Sequence, residues 1–187
     1  EAAPRYCYRT AVQSLLDELG LELAAGASAA ENPVRWVHIS ELEDPTPWLS
    51  GGELLLTTGY NLSSPAKQRR YVELLATKGA AGIGFGIGFD HERLPKAVLD
   101  AATKSGMPLF VVPYEMPFIA ITEYAFAKLV NEQYDVLQRA GQVHERLERL
   151  VLEGRGLDQV LGSISGAVSG TALVLDGGGR ELARHPA

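Results

Sequence analysis

The sequence predicts an α/β fold: a parallel or mixed sheet with flanking helices, then a long connector helix, then the first elements of a truncated α+β domain. Three observations predict it. Short apolar runs at residues 34–40, 53–58, 80–89 and 108–112 alternate with helix-length amphipathic segments, the pattern of strand–helix–strand units. From Pro117 one helical stripe continues for roughly thirty residues with no proline inside it. Gly154 and Gly156 then break the stripe, and a shorter helical pattern and a hairpin pattern follow.

Each element has a local reason. Thr10 stands where an N-cap belongs, Val12, Leu15, Leu16 and Leu19 follow at helical spacing, and Gly20 stops the helix. Residues 21–25 suit a short strand. At 34–40, Val34, Trp36, Val37 and Ile39 alternate with Arg35, His38 and Ser40, as on a half-buried strand. Residues 53–58 are a continuous apolar run closing on Thr57-Thr58-Gly59, as in a strand buried on both faces. Ser64 caps a helix, Pro65 takes its first turn, Tyr71, Val72, Leu74 and Leu75 supply its buried face, and Gly79 ends it. A glycine-laced strand follows over 80–89. Leu94-Pro95 leads into a helix with Val98, Leu99 and Ala102 inward and Gly106 as terminator. Residues 108–112 form a further buried strand that Pro113 stops.

In the long stripe, Ile119, Thr122, Phe126, Leu129, Gln133, Val136, Ala140, Val143, Leu147 and Leu150 occupy the a and d positions of a heptad pattern. Val130, Leu137 and Val151 widen it beyond a strict two-stranded seam. The first turns are expected to dock on the sheet and the later ones to pair with a second chain. That makes Phe126, Leu129, Val136, Ala140, Val143, Leu147 and Leu150 the candidate dimerisation residues. The remaining stripe, Leu157, Val160, Leu161, Ile164 and Val168, and a hairpin over 172–183 turning at Asp176-Gly177-Gly178-Gly179, are too little to bury a core alone. The expected domains are 10–118, 119–153 and 157–187.

Composition narrows the function. A net charge of −6, with no basic stripe, argues against broad nucleic-acid binding by these residues. No run of about 18 uncharged apolar residues suggests a membrane span. The single cysteine, Cys7, cannot form an internal disulfide, so a reducing cytoplasm is the simpler home. The opening EAAPRYCYRT lacks a signal-peptide core and is set aside from the fold. The four histidines are scattered, no GxSxG elbow or phosphate loop occurs, and the glycine run does not match GxGxxG. No catalytic residue, metal or cofactor is expected.

What remains is a set of polar groups where strands end. Ser40 and Glu41 leave the first long strand, where α/β proteins bind ligands; alternatively Glu41 and Asp44 hold the turn before Pro45 and Pro47. His38 is expected to be packed or hydrogen-bonded, and Trp48 to lie in the core under the stiff 44–48 turn, or alternatively to lid a pocket or seal a subunit contact. Thr57, Thr58 and Gly59 offer hydroxyls and backbone N–H groups to a ligand, or simply turn the chain towards Ser64. Period-two glycines, among them Gly84 and Gly86, leave one strand face bare for a helix or a pocket floor. Tyr114 and Glu115 lie at the joint into the long helix, either a hinge or a place where a bound ligand is felt. Glu123 is expected in that helix's first turn, favouring its dipole.

Three motifs in this order and spacing, PVRWVHISELEDPTPWLSGGELLLTTGY, GAAGIGFGIGF and PLFVVPYEMPFIAITE, resemble the N-terminal domain of PucR-like (purine catabolism regulator) transcription factors, over about residues 15–130. The tail LDQVLGSISGAVSGTALVLDGGGRELARHPA resembles the start of the GAF-like domain that follows in that family. The resemblance implies a cytoplasmic homodimeric regulator of catabolic genes, whose N-terminal domain senses a small molecule such as a purine-breakdown product. It also implies a helix-turn-helix DNA-binding domain that these residues do not contain. Two other readings compete: an assembly module with no ligand, and an enzyme using Glu41 or Glu115 as base.

Overall fold

The computed structural model describes residues 10–186, apart from the side chains of residues 132, 133, 135–137, 139 and 140 within a helix. The expectations for Cys7 and for the side chains of Val136 and Ala140 fall outside the described residues. The chain forms two compact units, Glu1–Glu132 and Gln133–Ala187.

The first unit runs α1 (Val12–Leu19), β1 (Leu23–Ala25), β2 (Trp36–Ile39), β3 (Glu53–Thr57), α2 (Pro65–Lys78), β4 (Gly82–Gly86), α3 (Lys96–Ser105) and β5 (Leu109–Val112), then enters α4 (Phe118–Leu152). Its five strands form one mixed sheet, ordered β1-β5-β4-β3-β2. The strands β2 to β5 are mutually parallel and β1 is antiparallel to β5. The fold is therefore α/β with helices on both faces of a mixed sheet, as the alternation predicts.

The register explains the packing. Leu55, Ile83 and Leu109 lie side by side on β3, β4 and β5, and their row is covered by Tyr71, Val72 and Leu75 of α2 with Val98 and Ala102 of α3. On the opposite face the matching row is Leu56, Gly84 and Phe110. There α1 contributes Val12, Leu15 and Leu16, and the first turns of α4 contribute Ile121 and Ala125. Gly84 is a glycine because its neighbours lean over it: a Cβ there would lie 2.5 Å from Leu56 Cδ2 and 2.7 Å from Phe110 Cζ.

Helix ends follow local chemistry. The Ser64 hydroxyl accepts the Lys67 N–H at 3.4 Å, Pro65 opens α2, and Gly79 closes it at φ +78°. Thr10 is not the cap of α1. The capping position is Ala11, and the Thr10 carbonyl instead accepts the Val34 N–H at 2.8 Å, because the chain before α1 pairs with the chain before β2. Glu123 falls in the second turn of α4, too late to serve its first-turn N–H groups.

Two tryptophans also depart from expectation. Trp36 and Ile39 are exposed and Val37 is buried, since β2 is an edge strand covered less completely than its neighbours. Trp36 meets the edge of the Phe126 ring at 5.9 Å. Trp48 is 75% exposed; the 3-10 turn at Thr46–Trp48 sends Leu49 into the core in its place.

In the second unit, Gly154 at φ +64° follows α4, then come α5 (Leu157–Val168) and a hairpin of β6 (Ala172–Leu175) and β7 (Glu181–His185). One carboxylate oxygen of Asp176 accepts the N–H groups of Gly178 and Arg180, each at 2.9 Å, which sets the turn. The second hairpin strand lies further along the chain than the 180–183 segment of the sequence reading.

Two glycine replacements separate crowding from backbone strain. Gly84→Ala is expected to lower unfolding free energy by about 1–3 kcal/mol through overpacking. Gly79→Ala meets no atom within 4 Å and loses only about 1 kcal/mol for its left-handed φ. Urea denaturation of both variants measures the difference.

Candidate functional site

Because β3, β4 and β5 are parallel, their carboxyl ends share one rim, the usual place for ligands in such sheets. A cleft of about 630 Å³ opens there. Thr58 follows β3, Gly86 ends β4, Val112 ends β5, and Tyr114, Glu115 and Phe118 belong to the joint into α4. The volume is within the usual range for metabolite sites.

Two glycines bring its walls together. A Cβ on Gly86 would lie 2.9 Å from Phe118 Cζ, so that ring occupies the space a side chain would take. Gly88, at φ +87°, allows the backbone close to Tyr114, where a Cβ would be 2.8 Å from the Tyr114 Cβ. The Phe89 and Tyr114 rings then meet at 4.9 Å between centroids, tilted by 50°. Both stay more than half exposed. The Glu115 carboxylate is exposed, and among the described residues no lysine, arginine or histidine lines the cleft.

A separate polar network ties the ends of β2 and β3 together. Glu41 Oε1 accepts the Thr58 N–H at 2.7 Å. Its Oε2 accepts the Thr57 hydroxyl at 2.9 Å and the Tyr60 N–H at 3.2 Å. The Glu41 carbonyl accepts the Asn61 side-chain amide at 2.6 Å, and Thr57 Oγ1 accepts the Gly59 N–H at 3.0 Å. Ser40 is buried, and its hydroxyl accepts the Leu42 N–H at 3.3 Å. Below this network Tyr71 is buried among apolar side chains, and its hydroxyl makes no hydrogen bond of normal geometry among the described residues. Burial first, and the Glu41 charge second, push the Tyr71 pKa well above its ordinary value.

The acidic turn is self-contained. Asp44 Oδ1 accepts the Thr46 hydroxyl at 2.6 Å and its N–H at 3.0 Å, which together hold the Asp44 pKa below the ordinary carboxylate value. Glu43 pairs with Lys67 at the surface. His91 Nε2 lies 3.3 Å from the Gly59 carbonyl, and its ring packs on Phe85.

The sequence-derived contacts therefore divide three ways. Thr58, Gly86, Tyr114 and Glu115 meet in the cleft. Ser40, Glu41, Thr57 and Gly59 sit in the adjoining network, which reaches the cleft through the Thr58 backbone. Gly84 lies in the core between Leu56 and Phe110. Phe89, Met116 and Phe118 also line the cleft. The sequence places Phe89 at the end of the glycine-alternating strand and Met116 and Phe118 in the joint into the long helix, without naming them as ligand contacts.

Among the candidate dimerisation residues, Phe126 is half-exposed and Leu129 is buried within its own unit. Both line a groove of about 290 Å³ with Trp36, Val37, Thr122 and Glu123. Val143, Leu147 and Leu150 are half-buried on the later turns of α4, where Val151 and Leu152 are exposed. Among the described residues no cluster of three or more His, Cys, Asp or Glu side chains could hold a metal, and no helix is long and apolar enough to cross a membrane.

Residues 13–129 match the profile of the purine catabolism regulatory protein-like family, PucR. The chain is 26% identical over 155 residues to the purine catabolism regulatory protein of Bacillus subtilis (strain 168), a match spanning 82% of this chain and 29% of that protein. It is 33% identical over 119 residues to the transcriptional activator PmfR of Paenarthrobacter nicotinovorans, spanning 62% of this chain and 25% of that one. The chain thus spans less than a third of the curated relatives it matches, and both are named as regulators.

Glu41→Gln tests the rim network. One amide oxygen cannot replace two carboxylate oxygens that accept three bonds. A loss of about 1–2 kcal/mol is expected, low in the range for charged acceptors because water reaches the site. Hydrogen exchange at the Thr58 and Tyr60 amides should accelerate in the same variant, as a purely global loss would not do selectively.

Proposed function

The chain belongs to the purine catabolism regulatory protein-like family, and from that premise we propose that it is the ligand-sensing and dimerising region of a bacterial transcription factor. The observation that carries this reading is the cleft where β3, β4 and β5 end, because its wall residue Phe118 is also the first residue of α4. Residues 10–118 are the sensor, 119–153 the connector and dimerisation helix, and 157–187 the start of a GAF-like domain. The effector is a small molecule such as a purine-breakdown product. DNA contact falls to a helix-turn-helix domain elsewhere in the parent protein, which controls catabolic genes in the cytoplasm.

An enzymatic role has little support. Glu41 spends both carboxylate oxygens on internal donors, and among the described residues the exposed Glu115 carboxylate makes no hydrogen bond that would activate the Thr58 or Tyr114 hydroxyl on the cleft wall. An assembly module without ligand is favoured by a different observation, the exposed Trp36 and Phe126 that meet over an apolar groove lined also by Val37 and Leu129.

A thermal-shift screen of purine-breakdown products, amino acids and nucleotides tests sensing. At least one compound is expected to raise the midpoint by several degrees in a saturable manner, and Tyr114→Ala should abolish that rise without lowering the unliganded midpoint. No stabilising compound would leave only the assembly reading. For dimerisation, Val143→Glu combined with Leu147→Glu should shift sedimentation towards monomer with the near-ultraviolet spectrum unchanged. An unchanged oligomer would place the interface elsewhere.

A further inference from the structure

We propose that the cleft binds a planar aromatic ring without negative charge and favours one that carries a positive charge. This rests on the cleft being the effector site and narrows the chemistry of what enters it.

The charge census is one-sided. Among the described residues, a ligand in the cleft meets the Glu115 carboxylate, which bonds to nothing, and meets no lysine, arginine or histidine side chain. Backbone amides at strand ends often take an anion in α/β proteins. At the end of β3 they are already occupied. Thr58 and Tyr60 give their N–H groups to Glu41, and Gly59 gives its own to Thr57. The Glu41 carboxylate thus takes the β3 amides that an anionic ligand could otherwise use. The amino end of α4 also reaches the cleft, and the exposed Glu115 carboxylate stands three residues before its start.

The shape points to a ring. Phe89 and Tyr114 form a tilted pair at the mouth, 53% and 61% exposed, so their faces are available. Phe118 lies over Gly86 as a third aromatic wall. Rings of this kind attract a flat partner, and more strongly a cationic one, through their negative faces. The Thr58 hydroxyl bonds to nothing among the described residues and is free to orient a ring nitrogen or a carbonyl.

Three probes of one shape and different charge separate the terms: N-methylquinolinium, quinoline and quinoline-3-carboxylate. Each is titrated into the chain and its Glu115→Gln variant, with amide shifts read at Gly86 and Tyr114. The cation should bind about tenfold more tightly than quinoline, and the carboxylate more weakly than either. Glu115→Gln should shrink the cation's advantage to about threefold and leave quinoline unchanged. Equal binding of all three, or preference for the carboxylate, overturns the charge inference and leaves the effector site standing. Failure of all three, while a compound from the stabilisation screen still moves Gly86 and Tyr114, overturns the ring inference alone. If no stabilising compound moves those amides, the site reading falls with it.

Discussion

Gly82, Gly84 and Gly86 present no side chains on one face of β4, and everything packed against that face uses the space. Leu56 and Phe110 lean in from the neighbouring strands over Gly84, and Phe118 does the same over Gly86 from the start of α4. A Cβ at either position would come within 3 Å of these groups, closer than packed carbon atoms sit. The row of glycines thus brings α4 onto the sheet and leaves the cleft at its end. Ile83 and Phe85 alternate with it to fill the opposite face under α2 and α3. One strand therefore serves a dense core on one side and a close approach on the other.

The rim of the sheet solves a different problem. Parallel strands end with N–H groups that their own ladder does not satisfy, and an unpaired amide at the edge of a core is costly. Glu41 answers this from within the chain. Its carboxylate accepts from Thr57, Thr58 and Tyr60, and its own carbonyl accepts from Asn61. A site meant for phosphate or carboxylate would keep those amides free, so this carboxylate bears on function as much as on stability. The open part of the rim lies beyond it, where Thr58, Tyr114 and Glu115 face the cleft.

Features governed by adjacent residues are legible in the sequence, and those governed by distant ones are not. Ser64-Pro65 at one end of α2 and Gly79 at the other state a helix through local chemistry, and β3 announces itself as an uninterrupted apolar run. Thr10 misleads because its carbonyl is claimed by Val34, 24 residues on, a pairing that no capping rule contains. Trp48 misleads because aromatic size suggests burial, whereas the local 3-10 turn turns Leu49 inward. The candidate site divides along the same line. Glu41 and Thr57 stand at the predicted rim, but only the fold, joining residues 16 apart, shows that they bond each other. Phe89 and Phe118 lie inside the motifs that carry the family resemblance, but only the register of β4 against β5 with the entry into α4 makes them walls of one cavity.

Phe118 links recognition to shape more directly than any other residue. Its ring is a wall of the cleft, it rests on the bare backbone of Gly86, and its own backbone opens α4. A ligand in the cleft acts on α4 only by the difference in its affinity for two placements of that ring. If the ring keeps one placement, the ligand stabilises the unit and transmits nothing, however tightly it binds. If the ring has two, the tight fit over Gly86 makes them discrete, since the packed core accommodates the aromatic in or out rather than by degrees. Under the proposed sensing role, the outcome turns on one aromatic side chain and the glycine beneath it, and the apolar stripe further along α4 is the element proposed to read a shift in its first turn.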